Sequence, residues 1–239
     1  ELIKGNYESG LKNYENRFKV KNLILLHGKA KIKRIKYREF KKGETLLVIS
    51  EQGYGDTLHY MRYIPYLRNK GISIYFSAQT KLHNLIKSSG IDKNPLTPKE
   101  AEKINDGEWI PLMSIPRYLG INPKKPIITK PYIKARESLN NKWEKILSKE
   151  KKLIVGINWQ GNLEMERKSY QGRSIPLETF GILLKENDIK FISLQKGYGS
   201  EQINDCSFKQ SFIDAQNKID KIWCFEETAA IIENCDLII

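Results

Sequence analysis

The chain has few cysteines and few histidines, with three of each among 239 residues. No two cysteines form a C-x-x-C pair and no two histidines form a helical H-x-x-x-H pair, so neither a disulfide framework nor a metal site is expected. Free, buried thiols in a reducing compartment fit this pattern. The residues concerned are Cys206, Cys224, Cys235, His27, His59 and His83.

Long apolar runs and a signal peptide are also lacking. No segment reaches the roughly 20 apolar residues that a membrane-spanning helix needs, and no charged start precedes an apolar centre near the N-terminus. We therefore expect no transmembrane segment and a cytoplasmic location, with peripheral association at the inner membrane face as an open alternative. The chain starts at Glu1 rather than Met, which suggests a processing boundary at the N-terminus. Residues 236–239 resemble a buried strand at which the chain stops, and this predicts that the second domain is truncated.

Negative charge is in the minority, because 41 Lys and Arg residues stand against 28 Asp and Glu, a formal net charge of +13. This balance is typical of nucleic-acid or membrane-surface binding, or of a lysine-rich solvated surface. Lysine outnumbers arginine, the better ligand for phosphates and bases, and the basic run 31–42 holds only Tyr37 and Phe40 as aromatics. We favour the solvated surface and expect no nucleic-acid partner, although a basic cleft would attract an anionic nucleotide-sugar.

Residues 2–19 have a helical period, with apolar side chains three and four residues apart and an interruption at Gly5 and Asn6. Two short helices, or the end of a helical repeat array, would explain this spacing, although one copy does not establish a repeat. A repeat array would offer a surface for a protein partner.

The rest of the chain alternates short apolar strands with helices, the pattern of a doubly wound α/β domain. Residues 91–131, with a loop at 122–126, are richer in proline and polar residues, and a second α/β unit follows a helix at 136–150. A cleft between the two units is expected. Strands are predicted at residues 45–50, 72–77, 109–112, 152–159, 190–194 and from 237, and helices at 57–69, 81–88, 136–150, 177–185 and 227–234.

The first candidate site is the loop that follows the first predicted strand. Ligands of open α/β sheets bind outside the carboxyl ends of the strands, and Gly53 and Gly55 would let the backbone turn tightly beside Gln52. Asp56 would cap the following helix or act as a general base, with His59 on the same helical face. The simpler alternative is an ordinary turn in which Asp56 only caps the helix and His59 is a half-buried polar residue.

The second domain places further candidate groups at strand ends and helix starts. Glycine and amide side chains there can line a phosphate or ribose site, Arg173 is suited to a diphosphate, and Ser174 offers a hydroxyl or a helix cap. The alternative is that Ser174 and Pro176 simply begin a helix. The candidate donor-binding residues are Asn158, Gln160, Gly161, Arg173, Ser174, Gln195, Lys196, Thr228 and Ala229.

Several segments carry a resemblance to a known family. In the first half they are GNYESGLKNYENRF, GETLLVISEQGYGDTLHYMRYIPYL, IPLMSIPRYLGI and PYIKA, and in the second half VGINWQGN, GRSIPLETF, FISLQKG and EETAAIIENCDLII. Together they resemble bacterial proteins that join tetratricopeptide repeats to a glycosyltransferase module of family 9, the heptosyltransferase-like group, and more distantly the O-GlcNAc transferases. The order and spacing of the segments match over most of the chain.

The resemblance implies an α/β, GT-B-like fold, with two Rossmann-like domains facing a cleft, the second truncated, after a short helical repeat remnant. The implied boundaries are 1–40 for the repeat end and linker, 41–135 for the acceptor domain, 136–150 for a linker helix and 151–239 for a partial nucleotide-sugar-binding domain. A Ser-x-Asp-Thr segment that helps to bind the donor is expected beyond residue 239.

The resemblance also implies an inverting, metal-independent glycosyltransferase with a nucleotide-sugar donor and no further cofactor. Asp56 and His59 are the candidate catalytic residues: Asp56 matches the proposed base, whereas His59 stands where glutamine is more usual. Arg173 matches the basic residue at the donor diphosphate. Glycan, lipid-linked and protein acceptors all fit. The alternative is a non-catalytic repeat scaffold whose α/β module is a degenerate sugar-nucleotide sensor.

Overall fold

A computed structural model describes residues 1–20, 24–124, 127–128, 130–168, 172–185 and 188–239. The chain divides into two compact units, Glu1–Ile133 and Lys134–Ile239. Each unit is built around a parallel three-stranded sheet, so the predicted α/β class is confirmed, and both units are compatible with a Rossmann-like fold. Residues 1–40 belong to the first unit and residues 136–150 to the second. The predicted loop at 122–126 lies partly outside the described residues.

The sheet of the first unit has the order β2-β1-β3, with β1 (Thr45–Ile49) between β2 (Ser73–Ser77) and β3 (Glu108–Pro111). Both neighbours run parallel to β1. Residues 46–49 are fully buried, as expected for a central parallel strand with both faces covered. The loop after β1 therefore starts from the most deeply buried strand of this unit.

A further extended segment covers the outer edge of β3. The Ile35 N–H donates to the carbonyl of Trp109 at 3.0 Å, and the Trp109 N–H donates to the carbonyl of Lys33 at 2.9 Å. Ile32 packs against the core of the sheet, while Lys33 is exposed. This part of the lysine-rich run is thus an edge segment whose backbone continues the sheet.

The helices described in the first unit are short. The break predicted at Gly5 and Asn6 is confirmed, because Gly5 takes a left-handed φ of 79° and the next helix begins at Tyr7. The α-helices are α1 (Tyr7–Tyr14), α2 (Tyr54–Tyr60), α3 (Tyr63–Asn69), α4 (His83–Ser88), α5 (Pro98–Ala101) and α6 (Ile115–Tyr118), and the 3-10 helices are Leu2–Lys4, Glu15–Lys19, Thr80–Leu82 and Leu112–Ser114.

The single helix predicted at 57–69 is wrong, because the structure has the two helices α2 and α3. Pro65 explains the break after Tyr60. A proline has no N–H to donate to the carbonyl four residues earlier, here that of Met61, and its ring clashes with that carbonyl inside a continuous helix. The start is also three residues earlier than predicted, at Tyr54.

The sheet of the second unit has the order β5-β4-β6, with β4 (Leu153–Ile157) between β5 (Ile189–Ser193) and β6 (Leu237–Ile238), all parallel. All predicted strands of the chain are present, with ends within two residues of those predicted. The last one was predicted to be buried, which is wrong, because Leu237 and Ile238 of the edge strand β6 are exposed. Among the described residues, no helix is long and apolar enough to cross a bilayer.

Both faces of β4 and β5 are covered. On one face the fully buried Trp143 packs with Ile154 of β4. On the other face Phe180 packs with Ile157 and Phe191. The α-helices of this unit are α7 (Glu137–Leu147), α8 (Leu163–Lys168), α9 (Gln202–Asp205), α10 (Gln216–Ile219) and α11 (Phe225–Glu233), and the 3-10 helices are Leu177–Leu184 and Lys209–Ser211.

Two further predictions need correction in this unit. The segment predicted as a helix at 177–185 is a 3-10 helix, Leu177–Leu184. Gly181 disfavours the α-helix, and it is packed so closely that an added Cβ would lie 3.0 Å from the Phe208 ring. The three free cysteines are half-buried rather than buried.

Candidate functional site

The loop after β1 is strained at Gln52. Its φ of 63° is left-handed, a conformation that costs a residue with a side chain about 1–2 kcal/mol. Its N–H donates to the Leu25 carbonyl at 2.8 Å, and its own carbonyl accepts from His27 Nε2 at 2.7 Å and Gln79 Nε2 at 3.4 Å. Strained residues that are held in this way cluster at functional sites, so residues 52–56 form the candidate site of this unit. They comprise the turn at Gln52 and Gly53 and the first three residues of α2, and are called the first loop below.

The two glycines of the first loop differ from their predicted role. Gly53 has a φ of −81°, and Gly55 is not among the residues with positive φ, so Gln52 rather than glycine makes the tight turn. Gly53 instead leaves room for a carboxylate, because an added Cβ would lie 3.3 Å from Asp56 Oδ2. No described atom lies within 4 Å of a Cβ added at Gly55, so the backbone there is open to close approach.

Asp56 is half-buried and is the third residue of α2. Its Oδ2 accepts from the Gly53 N–H at 2.9 Å, the contact that an acidic third residue makes in a capping box. The predicted capping contact is therefore present, although the helix begins before Asp56 and not after it. A carboxylate at this position fixes the start of α2 and is also able to accept a proton.

His59 lies one turn after Asp56 and is exposed. Burial of part of the ring lowers the pKa of His59, the Arg62 guanidinium lowers it further, and Asp56 opposes both effects. The ring contacts Tyr60 edge to face, with 4.9 Å between centroids. The neutral imidazole that a lowered pKa favours can donate one hydrogen bond and accept another.

A buried ion pair beneath the first loop is the feature that the sequence analysis missed. Glu51, fully buried, accepts from Arg17 Nε at 3.0 Å and from Arg17 Nη2 at 2.8 Å. Glu51 Oε1 also accepts from the Met113 N–H at 3.1 Å. The sequence held two signals for this pair. Glu51 is a charged residue soon after a largely apolar strand, and Arg17 lies within the apolar helical period of residues 2–19.

Gln52→Gly is expected to leave the free energy of unfolding within about 1 kcal/mol of the native value. Relief of about 1–2 kcal/mol of strain offsets the greater freedom of glycine in the unfolded chain, about 0.5–1 kcal/mol. Gln52→Val should be clearly destabilising, because a β-branched residue is strongly disfavoured at positive φ. Urea unfolding followed by the ¹⁹F signal of fluorotryptophan at Trp109 measures the first unit, and equal losses in the two variants would contradict the strain.

A cavity of the first unit lies away from the first loop. It encloses about 1000 Å³ and is lined by residues of α1 and by Tyr37, Arg117 and Asn122. None of the predicted residues of the first loop line it, so it carries no part of the chemistry argued from that loop.

In the second unit a hydrogen-bonded cluster joins four of the predicted donor-binding residues at the carboxyl ends of β4 and β5. Ser174 Oγ accepts from Gln160 Nε2 at 2.7 Å and from the Gly161 N–H at 3.0 Å. Gln195 Oε1 accepts from the Gln160 N–H at 3.1 Å. Ser174 therefore holds the loop after β4 and does not cap the helix at 177–184, whose N-cap is Pro176 and has no side-chain cap.

Arg173 is exposed and adjoins this cluster. A Cβ added at Gly161 would lie 3.4 Å from Arg173 Cβ and 3.4 Å from Glu166 Oε1. Among the described residues Glu166 Oε1 has no hydrogen-bond partner although it is buried. Arg173 is thus close enough to the loop to meet an anionic ligand there, and Glu166 is a neighbouring negative charge that the sequence analysis missed.

Gln195 is the centre of the cluster, with only 6% of its surface exposed. Its Nε2 donates to the Tyr198 carbonyl at 2.7 Å, and its own carbonyl accepts from Gln216 Nε2 at 3.0 Å. Gln216 also donates to Asp220 Oδ1 at 2.9 Å. Gln216 and Asp220 were not predicted as site residues, and both line an open pocket of about 550 Å³ beside the end of β5.

The remaining predicted donor-binding residues lie outside these hydrogen bonds. Asn158 is exposed directly after β4, and its N–H donates to the Ile239 carbonyl at 3.0 Å. Lys196 Nζ donates to the Ile222 carbonyl, just before α11. Thr228 and Ala229 are half-buried within α11.

The acidic residues that begin α11 are turned towards α7. Glu226 Oε2 accepts from Arg136 Nη2 at 3.0 Å, and Glu227 Oε1 accepts from Trp143 Nε1 at 3.0 Å. These carboxylates also interact favourably with the positive end of the helix dipole. An anionic ligand at this helix start, where Thr228 and Ala229 are candidate donor-binding residues, would therefore also meet negative charge.

Gln195→Leu is expected to destabilise the second unit, because it removes the partner of two part-buried groups, the Gln160 N–H and the Tyr198 carbonyl. A fully buried group left without its partner costs about 1–3 kcal/mol, which is the upper limit for each of these two. The matched control is Gln202→Leu, which removes the acceptor of the Leu177 N–H at 3.0 Å. We expect the control to lose less stability, because Gln202 is only half-buried. Urea unfolding followed at fluorotryptophan 159 measures both, and equal losses would contradict the central role of Gln195.

Within the described residues, no group of three or more His, Cys, Asp and Glu side chains is arranged to hold a metal ion. The polar groups brought together in the second unit are amides, a hydroxyl and one arginine, with the carboxylates of Glu166 and Asp220 nearby. Amides, hydroxyls and arginine can bind phosphate and sugar oxygens. A scan against protein-family models, a search of curated proteins and a search of solved structures each returned no match for this chain.

Proposed function

We propose that this chain is the core of a glycosyltransferase with a GT-B-like fold, which transfers a sugar from a nucleotide-sugar to an acceptor hydroxyl. The observation that carries the proposal is the cluster of Gln160, Gly161, Ser174 and Gln195 at the carboxyl ends of β4 and β5. Ligands of open parallel sheets bind in this position. The family resemblance of the surrounding segments adds the substrate class.

The proposed reaction is a single displacement that inverts the anomeric carbon. Asp56 takes the proton of the acceptor hydroxyl as the oxygen forms its bond to the anomeric carbon, while the bond from that carbon to the donor diphosphate breaks and the nucleoside diphosphate leaves. Arg173 stabilises the charge that grows on the leaving diphosphate. We propose that His59, three residues after Asp56 in α2, hydrogen-bonds the acceptor.

The remaining parts of the proposal follow the same family. The donor is the nucleotide-sugar alone, with no metal or further cofactor, and the acceptor is a glycan, a lipid-linked sugar or a protein. The N-terminal helical segment is proposed as the end of a repeat array with a protein partner. The proposed location is cytoplasmic, with peripheral contact at the inner membrane face.

A thermal-shift screen of this chain against UDP-, GDP-, ADP- and CMP-sugars tests the donor site. At about a hundred times Kd a ligand adds about 2.7 kcal/mol to stability, which raises the Tm of a unit of about 100 residues by roughly 10 °C. We expect a shift with one nucleotide class, abolished in Arg173→Ala and retained in Lys145→Ala, a change on the exposed side of α7.

If none of the nucleotide-sugars raises the Tm of the folded chain, the proposed donor site is refuted. The chain would then fit a non-catalytic scaffold with a degenerate sugar-nucleotide module. A shift that survives Arg173→Ala would leave the donor site in place and remove Arg173 from it.

A further inference from the structure

The N-terminal helical segment reaches into the first unit through one side chain. Arg17, in the 3-10 helix Glu15–Lys19, keeps only 4% of its side chain exposed, and its partner Glu51 keeps none. Two parallel hydrogen bonds join the guanidinium to both carboxylate oxygens, at 3.0 and 2.8 Å. This fork-to-fork geometry fixes the orientation of both groups, which a single contact would not do.

Further contacts fix the position of the Arg17 guanidinium. Its carbon lies 4.3 Å from the centroid of the Tyr14 ring and 4.4 Å from that of Phe18. Arg17 Nη2 donates to Ser114 Oγ at 2.9 Å, and Ser114 Oγ donates to Glu15 Oε1 at 2.8 Å. The helical segment, the end of β1 and the segment after β3 therefore meet in one buried polar network.

The charges in this network support each other. Burial lowers the pKa of Arg17, but the hydrogen bonds and negative charges of Glu51 and Glu15 outweigh it, so the pKa lies above its ordinary value. Arg34 Nη2 adds a second cation at 2.6 Å from Glu15 Oε2. Two arginines thus face two glutamates, and the network is neutral as a whole.

Glu51 is the residue that connects this network to the first loop. Its neighbour Gln52 has the left-handed φ of 63°, and the Gly53 N–H that follows donates to Asp56 Oδ2 at 2.9 Å. A rotation of the Glu51 backbone would therefore be transmitted through a strained residue to the Asp56 carboxylate. The network fixes the side chain of Glu51, which is fully buried.

We propose that Glu51 is a positioning residue for Asp56, and that Arg17 of the N-terminal helical segment holds Glu51 in the required orientation. The helical segment is then part of the scaffold of the reacting group and not only a neighbouring repeat. This inference rests on the proposed glycosyl transfer for its kinetic consequence, but the mechanical part concerns the first loop alone.

The test compares Arg17→Lys and Glu51→Gln with the native chain. Lysine keeps the positive charge but cannot donate the two parallel bonds, and glutamine keeps the shape of Glu51 but presents an NH₂ group to the guanidinium. We expect amide hydrogen exchange at residues 53–58 to rise at least tenfold in both variants. Sugar transfer should show a kcat about tenfold lower, with KM for the donor within twofold.

Arg38→Lys is the matched control. Arg38 also pairs with two carboxylates of the first unit, those of Glu44 and Glu108, at 2.6 and 2.7 Å, but 31% of its side chain is exposed. We expect native exchange at residues 53–58 and native kcat in this variant. Native exchange and native kcat in both Arg17→Lys and Glu51→Gln would overturn the proposal.

The native chain provides a test that does not depend on any variant. If the network and the first loop are one mechanical unit, amides at 53–58 and at 14–18 should share one opening free energy and one dependence on low urea concentrations. Separate opening of the first loop would overturn the proposal even if the variants fail to fold. A chain that transfers no sugar would refute the proposed function, while the exchange data would still decide the positioning.

Discussion

Asp56→Asn is expected to lower the kcat of sugar transfer by roughly 10²–10⁴-fold, the range typical of losing a general base. Asparagine keeps an oxygen that can accept from the Gly53 N–H, which Asp56 Oδ2 now accepts at 2.9 Å. The start of α2 should therefore be retained, and the loss should be one of chemistry and not of folding. The measurement is release of nucleoside diphosphate with whichever donor gives the largest thermal shift, together with that shift itself.

The matched control for this variant is Glu100→Gln. Glu100 is the third residue of α5, where its Oε2 accepts from the Thr97 N–H at 2.7 Å. The change removes the same charge from the same kind of helix start in the same unit. We expect transfer to be unaffected in Glu100→Gln, and equal losses in the two variants would show that the Asp56 effect comes from capping and not from proton transfer.

Arg17→Met is expected to lower the free energy of unfolding of the first unit by about 3–5 kcal/mol, because it leaves the fully buried Glu51 carboxylate without its cation. The double variant Arg17→Met, Glu51→Gln should be more stable than the single one, since no buried charge then remains unpaired. Arg38→Met should lose about 1 kcal/mol or less, as expected for a pair that is partly exposed.

Urea unfolding followed by the ¹⁹F signal of fluorotryptophan at Trp109 measures these losses, because the other three tryptophans belong to the second unit. A double variant that is less stable than Arg17→Met alone would contradict the account of an uncompensated charge. Equal losses in Arg17→Met and Arg38→Met would show that burial of the Arg17–Glu51 pair adds nothing to the loss in the free energy of unfolding.

Much of the framework could be predicted because it depends on local signals. The residues of β1 after Thr45 are apolar and are followed by a polar loop, the pattern of a buried parallel strand. The positions of Asp56 and Gln160 shortly after such strands follow from the same rule. The carboxyl ends of parallel strands meet at one edge of a sheet, so residues distant in sequence come together there.

The parts that escaped prediction depend on contacts between distant residues. Arg17 and Glu51 are 34 residues apart, and neither spacing nor composition says that they pair. The left-handed turn was assigned to Gly53 and Gly55, the residues that adopt it most easily. It occurs at Gln52, where hydrogen bonds from His27 and to Leu25 stabilise it.

Gln195 illustrates the same limit in the second unit. Its place at a strand end suggested a ligand contact, whereas much of its side chain is used to hold neighbouring loops. The support from Gln216 could not be anticipated, because that residue lies in a polar stretch with no periodic pattern. The sequence therefore indicated which strand ends carry polar side chains, but not which neighbouring groups each side chain would bond.

The segment along β3 has a consequence for how copies of this protein behave at high concentration. An open edge strand offers unpaired N–H and C=O groups to a second chain, and such edges lead to aggregation. Here Lys33 and Ile35 pair their backbones with Trp109, and the exposed lysines of the run 29–36 surround that position. The positive charge that suggests a ligand surface thus also repels an identical edge, and replacing Lys31 and Lys33 with valine is a direct way to promote self-association.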